Sequence, residues 1–220
     1  MSKINSINNK SGELTIDPGA SGDSFLQLDI NTTGKFRLGV DDTDSDSFKI
    51  SSGSALGTTD CFIMTSAGER TLPIQPAFSA NNYSPLFNVT GDGTNVTLSL
   101  DTELFDQASN FSTTTFTAPV TGRYLLTAMF KPTELTSSHT SGYCYIATSN
   151  RSYLGDNFNV AAIRYTLLDT MMLACNALAD MDASDTATAH VVISNGTKVV
   201  DLDGGWGVAI TNSLNGYLVC

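Results

Sequence analysis

The densest run of chemically capable side chains is Asp41-Asp42-Thr43-Asp44-Ser45-Asp46. Alternating Asp42, Asp44 and Asp46 offer hard carboxylate oxygens of the kind calcium takes, spaced as in the first half of an EF-hand loop. The second half of such a loop is missing, with neither the mid-loop glycine nor the closing glutamate in place. A solvated turn whose aspartates cap their own backbone is the reading the run favours. A second acidic group, Asp180, Asp182 and Asp185, fits a chain reversal between strands. No cofactor is expected, and calcium at Asp42, Asp44 and Asp46 is the one metal to weigh.

Nucleophilic chemistry finds little material. His139 lies in a polar stretch and His190 in an apolar one, far apart in sequence, and no Gly-x-Ser-x-Gly elbow or phosphate-cradling loop occurs. Cys61, Cys144, Cys175 and Cys220 show no Cys-x-x-Cys spacing, so buried free thiols are expected, with a Cys144–Cys175 bridge as the alternative. A glycan-cleaving enzyme would need paired carboxylates in a groove, whereas the acids here sit mostly in turns. The chain is therefore expected not to be an enzyme.

Binding is better served. Trp206 stands between glycines, and an exposed indole is a platform for a sugar ring or a protein anchor; packing into the core is the plain alternative. Tyr153 follows the polar Asn150-Arg151-Ser152 and invites the same pair of readings. The long polar connections Lys131–Gly142, Asn150–Phe158 and Asp203–Gly207 are where contacts with a receptor are expected.

These side chains must be positioned by strands. Leu26-Gln27-Leu28-Asp29-Ile30, Phe36-Arg37-Leu38-Gly39-Val40, Phe48-Lys49-Ile50-Ser51 and Val96-Thr97-Leu98-Ser99-Leu100 alternate apolar and polar. That is the antiparallel pattern, with the apolar face expected inside and the polar face wet. Turn-rich stretches separate the strands, among them Pro18–Asp23, Asn31–Gly34, Gly91–Gly93 and Asn195-Gly196. Ala161–Ala183 reads as strand in preference to a short helix. Leu72-Pro73-Ile74-Gln75-Pro76 marks a boundary, because two prolines remove two backbone donors. Residues 1–75 are turn-dense with narrow strands, and residues 76–220 hold every tyrosine and the tryptophan.

Charge narrows the partners. The net charge is −11 and only 15% of residues are charged, which disfavours nucleic acid and anionic lipid. No apolar run is long enough to cross a bilayer as a helix, and the opening Met-Ser-Lys-Ile-Asn lacks a signal-like stretch, so synthesis in a cytosol is expected.

Phe116-Thr117-Ala118-Pro119-Val120-Thr121-Gly122-Arg123-Tyr124-Leu125-Leu126, with Asn215-Gly216-Tyr217-Leu218-Val219 near the end, resembles the globular heads of the first complement component and tumour necrosis factor relatives. The resemblance implies an all-β, ten-stranded jelly-roll sandwich around a three-fold axis. It implies that Phe116 and Tyr124 face the sandwich or the subunit interface, that Pro119 begins a strand, that Gly122 makes a tight turn and that Gly216 and Tyr217 belong to the last strand. Gly39–Ser51, followed by Ala55-Leu56-Gly57-Thr58 and Thr65–Glu69, resembles modules of bacteriophage tail fibres. Together they imply a short β-rich stalk or attachment module feeding a homotrimeric head. The expected role is a structural protein of the virion, made in the host cytoplasm: a tail-fibre or receptor-binding appendage touching other virion proteins and a host-surface glycan or protein. A trimeric capsid decoration or head-fibre protein is the alternative.

Overall fold

A computed structural model describes residues 15–16, 18–19, 21–31, 33–163, 169–205 and 209–220. The chain divides into two compact units between Ile74 and Gln75.

The first unit is an antiparallel meander of β1 (Ser24–Ile30), β2 (Thr33–Asp41), β3 (Ser47–Ser51), β4 (Asp60–Met64) and β5 (Arg70–Thr71), paired in that order. Residues paired across strands point to the same side of the sheet. The register sets Leu26 beside Leu38, Leu28 beside Phe36, Val40 beside Phe48, Ile50 beside Phe62 and Phe48 beside Met64. One side is thus mostly apolar, with Ser24 opposite Val40 and Arg70 opposite Met64 at its edges, and the Phe48 and Phe62 rings meet edge to face at 6.3 Å. The other side carries Asp41, Lys49, Ser51 and Asp60.

The side the unit covers is the polar one, which corrects the expectation from alternation. Lys49 is 3% exposed, and its ammonium lies 2.8 Å from Asp41, 2.7 Å from Asp44 and 3.5 Å from Asp60. The segment 52–59 folds over this cluster: the Gly57 amide donates to Asp60 at 3.0 Å and Leu56 is buried. Gly57 has φ 81, and a side chain there would press on the Asp41 carboxylate. Meanwhile Leu26, Leu28 and Phe36 remain about half exposed. Alternation separates two faces without saying which will be covered. Here a compensated ionic cluster with its own lid takes the inside.

The second unit contains, in chain order, β6 (Ala77–Asn81), β7 (Leu86–Thr90), β8 (Asn95–Thr97), β9 (Thr102–Gln107), β10 (Phe111–Ser112), β11 (Thr115–Thr117), β12 (Gly122–Phe130), β13 (Pro132–Thr133), β14 (Ser141–Thr148), β15 (Ser152–Phe158), a single helical turn α1 (Val160–Ile163), β16 (Leu173–Met181), β17 (Thr186–Ser194), β18 (Val200–Leu202) and β19 (Ser213–Leu218). One sheet runs β16-β12-β19-β6-β9 and the facing one β10-β11-β17-β14-β15, with β8 added on β17. This is an antiparallel jelly roll of five strands against five. A small sheet, β13-β18-β7, lies beside it.

Within Ala161–Ala183, Leu173–Met181 is a strand whose inward residues are Leu173, Cys175, Ala177, Ala179 and Met181. It is buried on one face only, not on both. Leu167 and Leu168 lie outside the described residues.

The core fills from both sheets with Phe78, Phe116, Tyr124, Leu126, Phe130, Ile146 and Ile193. Phe78 stacks on Phe116 at 4.6 Å and on Phe111 at 5.1 Å. Tyr124 is fully buried and its hydroxyl donates to the Val120 carbonyl at 2.7 Å, so it faces the sandwich.

Two expectations for this stretch change, those for Gly122 and Pro119, while Gly216 and Tyr217 lie in the last strand as the resemblance implies. Gly122 opens β12 and makes no turn; it is small because a Cβ would sit 2.6 Å from Leu218 and 2.7 Å from the Cys220 carbonyl. Pro119 is exposed in the link between β11 and β12 and does not begin a strand. Tyr217 lies in β19 but points outward, 48% exposed. Gly216 beside it is buried, where a Cβ would strike Leu126 and Phe78.

Candidate functional site

A hollow of about 430 Å³ lies in the second unit, lined by Tyr83, Pro85, Phe87, Thr133, Asp201, Asp203, Gly204 and Gly205. Its floor is the small sheet. Thr133 pairs with Asp201 across β13 and β18, while Leu202 pairs with Leu86 across β18 and β7. The register slips between Val200 and Leu202, and in that gap the Asp201 carboxylate accepts the Asn88 amide at 2.6 Å.

One wall is the segment Tyr83–Phe87. Tyr83 is 47% exposed and Phe87, on β7, is 66% exposed. The wall is pinned from behind by Asp101, whose two oxygens accept the Tyr83 and Ser84 amides at 2.7 and 3.0 Å. Burial opposes ionisation of Asp101, but these amide hydrogen bonds outweigh it and hold its pKa at about 2. The opposite wall is Asp203–Gly205. Lys131 contacts the Asp203 carboxylate at 2.5 Å, and the Asp203 carbonyl accepts Thr211 Oγ1 at 3.0 Å and the Asn212 amide group. Gly204 lets the walls close up, since a Cβ would lie 2.3 Å from the Tyr83 carbonyl. Beneath, Asn81 and Asn82 are buried with Oδ1 atoms that lack a hydrogen-bond partner among the described residues.

Two aromatic faces beside two carboxylates suit a flat, hydroxylated ligand: the rings take its apolar face and the carboxylates accept its hydroxyls. Of the residues singled out from sequence, Asp203 of the Asp203–Gly207 connection is here, whereas Trp206 falls outside the described residues. Tyr153 is elsewhere, half buried against the core, with its carbonyl accepting the Cys175 thiol at 3.2 Å. Tyr83 and Phe87 escaped the sequence reading. The signal available was an aromatic pair around Ser84-Pro85, a turn that exposes its flanks.

The acidic run is divided by the fold. Asp44 pairs with Lys49, and the Asp42 carboxylate accepts the Gly22 amide at 3.2 Å. Asp46 is exposed in the turn with φ 56. Among the described residues no group of three acidic, histidine or cysteine side chains is placed to hold a metal ion. The place between Asp41, Asp44 and Asp60 is filled by the Lys49 ammonium. Burial lowers the Lys49 pKa, yet its bonds to Asp41 and Asp44 prevail and leave it raised; the Lys49 bond likewise lowers Asp41. Asp182 and Asp185 close a turn on each other, Asp185 Oδ2 accepting the Asp182 amide at 2.9 Å.

His139 lies in the connection between β13 and β14. Although its neighbours are polar it is fully buried, with Nδ1 accepting the Thr136 amide at 2.9 Å and Nε2 facing the Thr197 carbonyl at 3.2 Å. It pins a loop. His190 stacks on Tyr145 at 4.6 Å, and burial lowers its pKa. All four cysteines are free; Cys144 and Cys175 are buried, and burial pushes the Cys144 thiol up to about 12.

No protein-family model and no curated protein matches the sequence. Among solved structures, the globular domain of zebrafish complement 1qA protein is similar, with 16% identity and a TM-score of 0.43 over 66% of this chain and 98% of that one. A crystal structure of murine APRIL is similar with 8% identity and a TM-score of 0.45, over 66% of this chain and 99% of that one. The jelly-roll assignment rests on the strand order itself.

Proposed function

We propose that the chain is a homotrimeric structural protein of a bacteriophage particle, a tail-fibre or receptor-binding appendage whose head touches the host surface. The contact role is carried by the Tyr83–Phe87 and Asp201–Gly205 groove, which presents exposed aromatic rings beside carboxylates on a rigid sandwich. Its ligand is a neutral saccharide of the host envelope. The two aspartates and a net charge of −11 oppose an anionic one. Association of heads is supported by the outer side of β16-β12-β19. There Leu178 and Tyr217 flank Leu125 in register, and both are about half exposed. Three weak grooves on one body would multiply into useful avidity.

The test is binding of the labelled full-length chain to host cells and to neutral oligosaccharides. Phe87→Ala should weaken binding by about tenfold or more, the usual cost of removing an aromatic anchor. Equal binding by Phe87→Ala and Tyr83→Ala would remove the groove from the mechanism. Immunogold labelling of intact particles then separates the two virion roles: gold at tail tips supports the appendage, and gold over the shell means capsid decoration.

A further inference from the structure

We propose that the open apolar side of the first unit's sheet is the surface on which copies of this chain join, a reading that rests on the homotrimer above and names an interface for it. Leu26, Leu28, Phe36 and Val40 on this side are between 36% and 49% exposed, and Ile30 at the end of β1 is 63% exposed. The residues paired on this side of β1 to β4 include no charged one, and Arg70 joins the side only at β5, opposite Met64, in a chain with a net charge of −11. The same unit folds its segment 52–59 over the opposite, ionic side, so the polar residues have a lid and the apolar ones have none from that segment.

Size decides what should cover it. Several large side chains at about half exposure, with Leu38, Ile50 and Phe62 partly exposed between them, leave on the order of 500 Å² of apolar surface. That reaches the upper end of what monomers leave bare. With its rim it approaches the ~800 Å² per partner of a stable interface. Around a three-fold axis this face of each copy can pack against those of the other two, and it is where acidic molecules can meet with few like charges opposed. Among its paired residues the register places one cation on this side, Arg70 opposite Met64, too few to hold nucleic acid or an anionic bilayer.

The experiment uses the full-length chain with Cys61→Ser and Cys220→Ser to remove the accessible thiols. Leu28→Cys and Phe36→Cys are placed on the apolar side, and Gln27→Cys on the other side is the control. After treatment with a short bis-maleimide, Leu28→Cys and Phe36→Cys should give covalently linked multimers on a denaturing gel, about tenfold more than Gln27→Cys. Leu28→Asp with Phe36→Asp should raise the unassociated fraction at micromolar concentration by a similar factor. A Leu28→Cys thiol that reacts as fast as in the unfolded chain would mean a bare face and would overturn the inference. Protection without cross-linking would overturn it too, since another segment or a foreign partner would then be the cover. Sedimentation of the parent chain separates the failures. A monomer there defeats the trimer itself, whereas a multimer with a bare Leu28→Cys defeats only this interface.

Discussion

The two units put the same strand pattern to opposite use. In the second, alternation sends Phe78, Tyr124, Leu126 and Phe130 inward between two sheets, and the polar residues outward. In the first, the described residues form a single sheet with no facing sheet among them, and its buried side is built around Lys49, Asp41 and Asp60. A sandwich encloses apolar surface by pairing two apolar faces, which one sheet cannot do alone. An ionic cluster can be enclosed by a short loop, because a few hydrogen bonds satisfy it. The first unit's apolar side is then left about half exposed at Leu26, Leu28 and Phe36.

The largest effect separating the units is Lys49→Met. Removing the cation leaves Asp41 and Asp60 buried without compensation, costing roughly 3–5 kcal/mol. Calorimetry of the full chain should show the transition of the first unit lowered and that of the jelly roll unmoved. A single transition that falls as a whole would mean the units unfold together, and the contrast between them would lose its energetic meaning.

Acid sharpens the same comparison. Asp41 titrates below its ordinary 3.8 when folded. The stability from its ionised form is therefore complete above about pH 3.8 and is lost as pH falls through the lower folded value. Asp101 behaves likewise, its contribution disappearing between 3.8 and about 2. The raised pKa of Lys49 has the opposite sign: its contribution is full below 10.5 and fades only as pH climbs through the raised value. Asp101→Asn should flatten the acid dependence of the jelly roll below pH 4 while leaving that of the first unit intact, as followed by denaturant midpoints. An unchanged acid limb in the second unit would remove Asp101 as the pin of the groove wall.

The smallest effect is Tyr124→Phe. It deletes the hydroxyl that meets the Val120 carbonyl and keeps the ring, so about 1 kcal/mol should be lost from the jelly roll alone. A loss of several kcal/mol would show that the β11–β12 link depends on that one hydrogen bond.

Alternation made antiparallel strands legible because its cues are local, whereas the jelly roll was legible only through the resemblance carried by Phe116–Leu126 and Asn215–Val219. The reasons for the glycines were not legible: Gly122 and Gly216 are small because Leu218, Cys220 and Phe78 arrive beside them from distant strands. The groove was legible only at Asp203. Tyr83 and Phe87 face Asp201 across more than a hundred positions of sequence, and only the β7–β18 pairing brings them together.

By itself the sequence determined where strands run, where the chain turns and which residues share a face, because these depend on neighbours two residues away. Only the tertiary structure decided which face is covered. Lys49 meets Asp60 from an adjacent strand and segment 52–59 closes over them, so the ionic side is enclosed and Leu28 and Phe36 are left outside. Coverage depends on contacts between distant segments, which a period of two cannot encode.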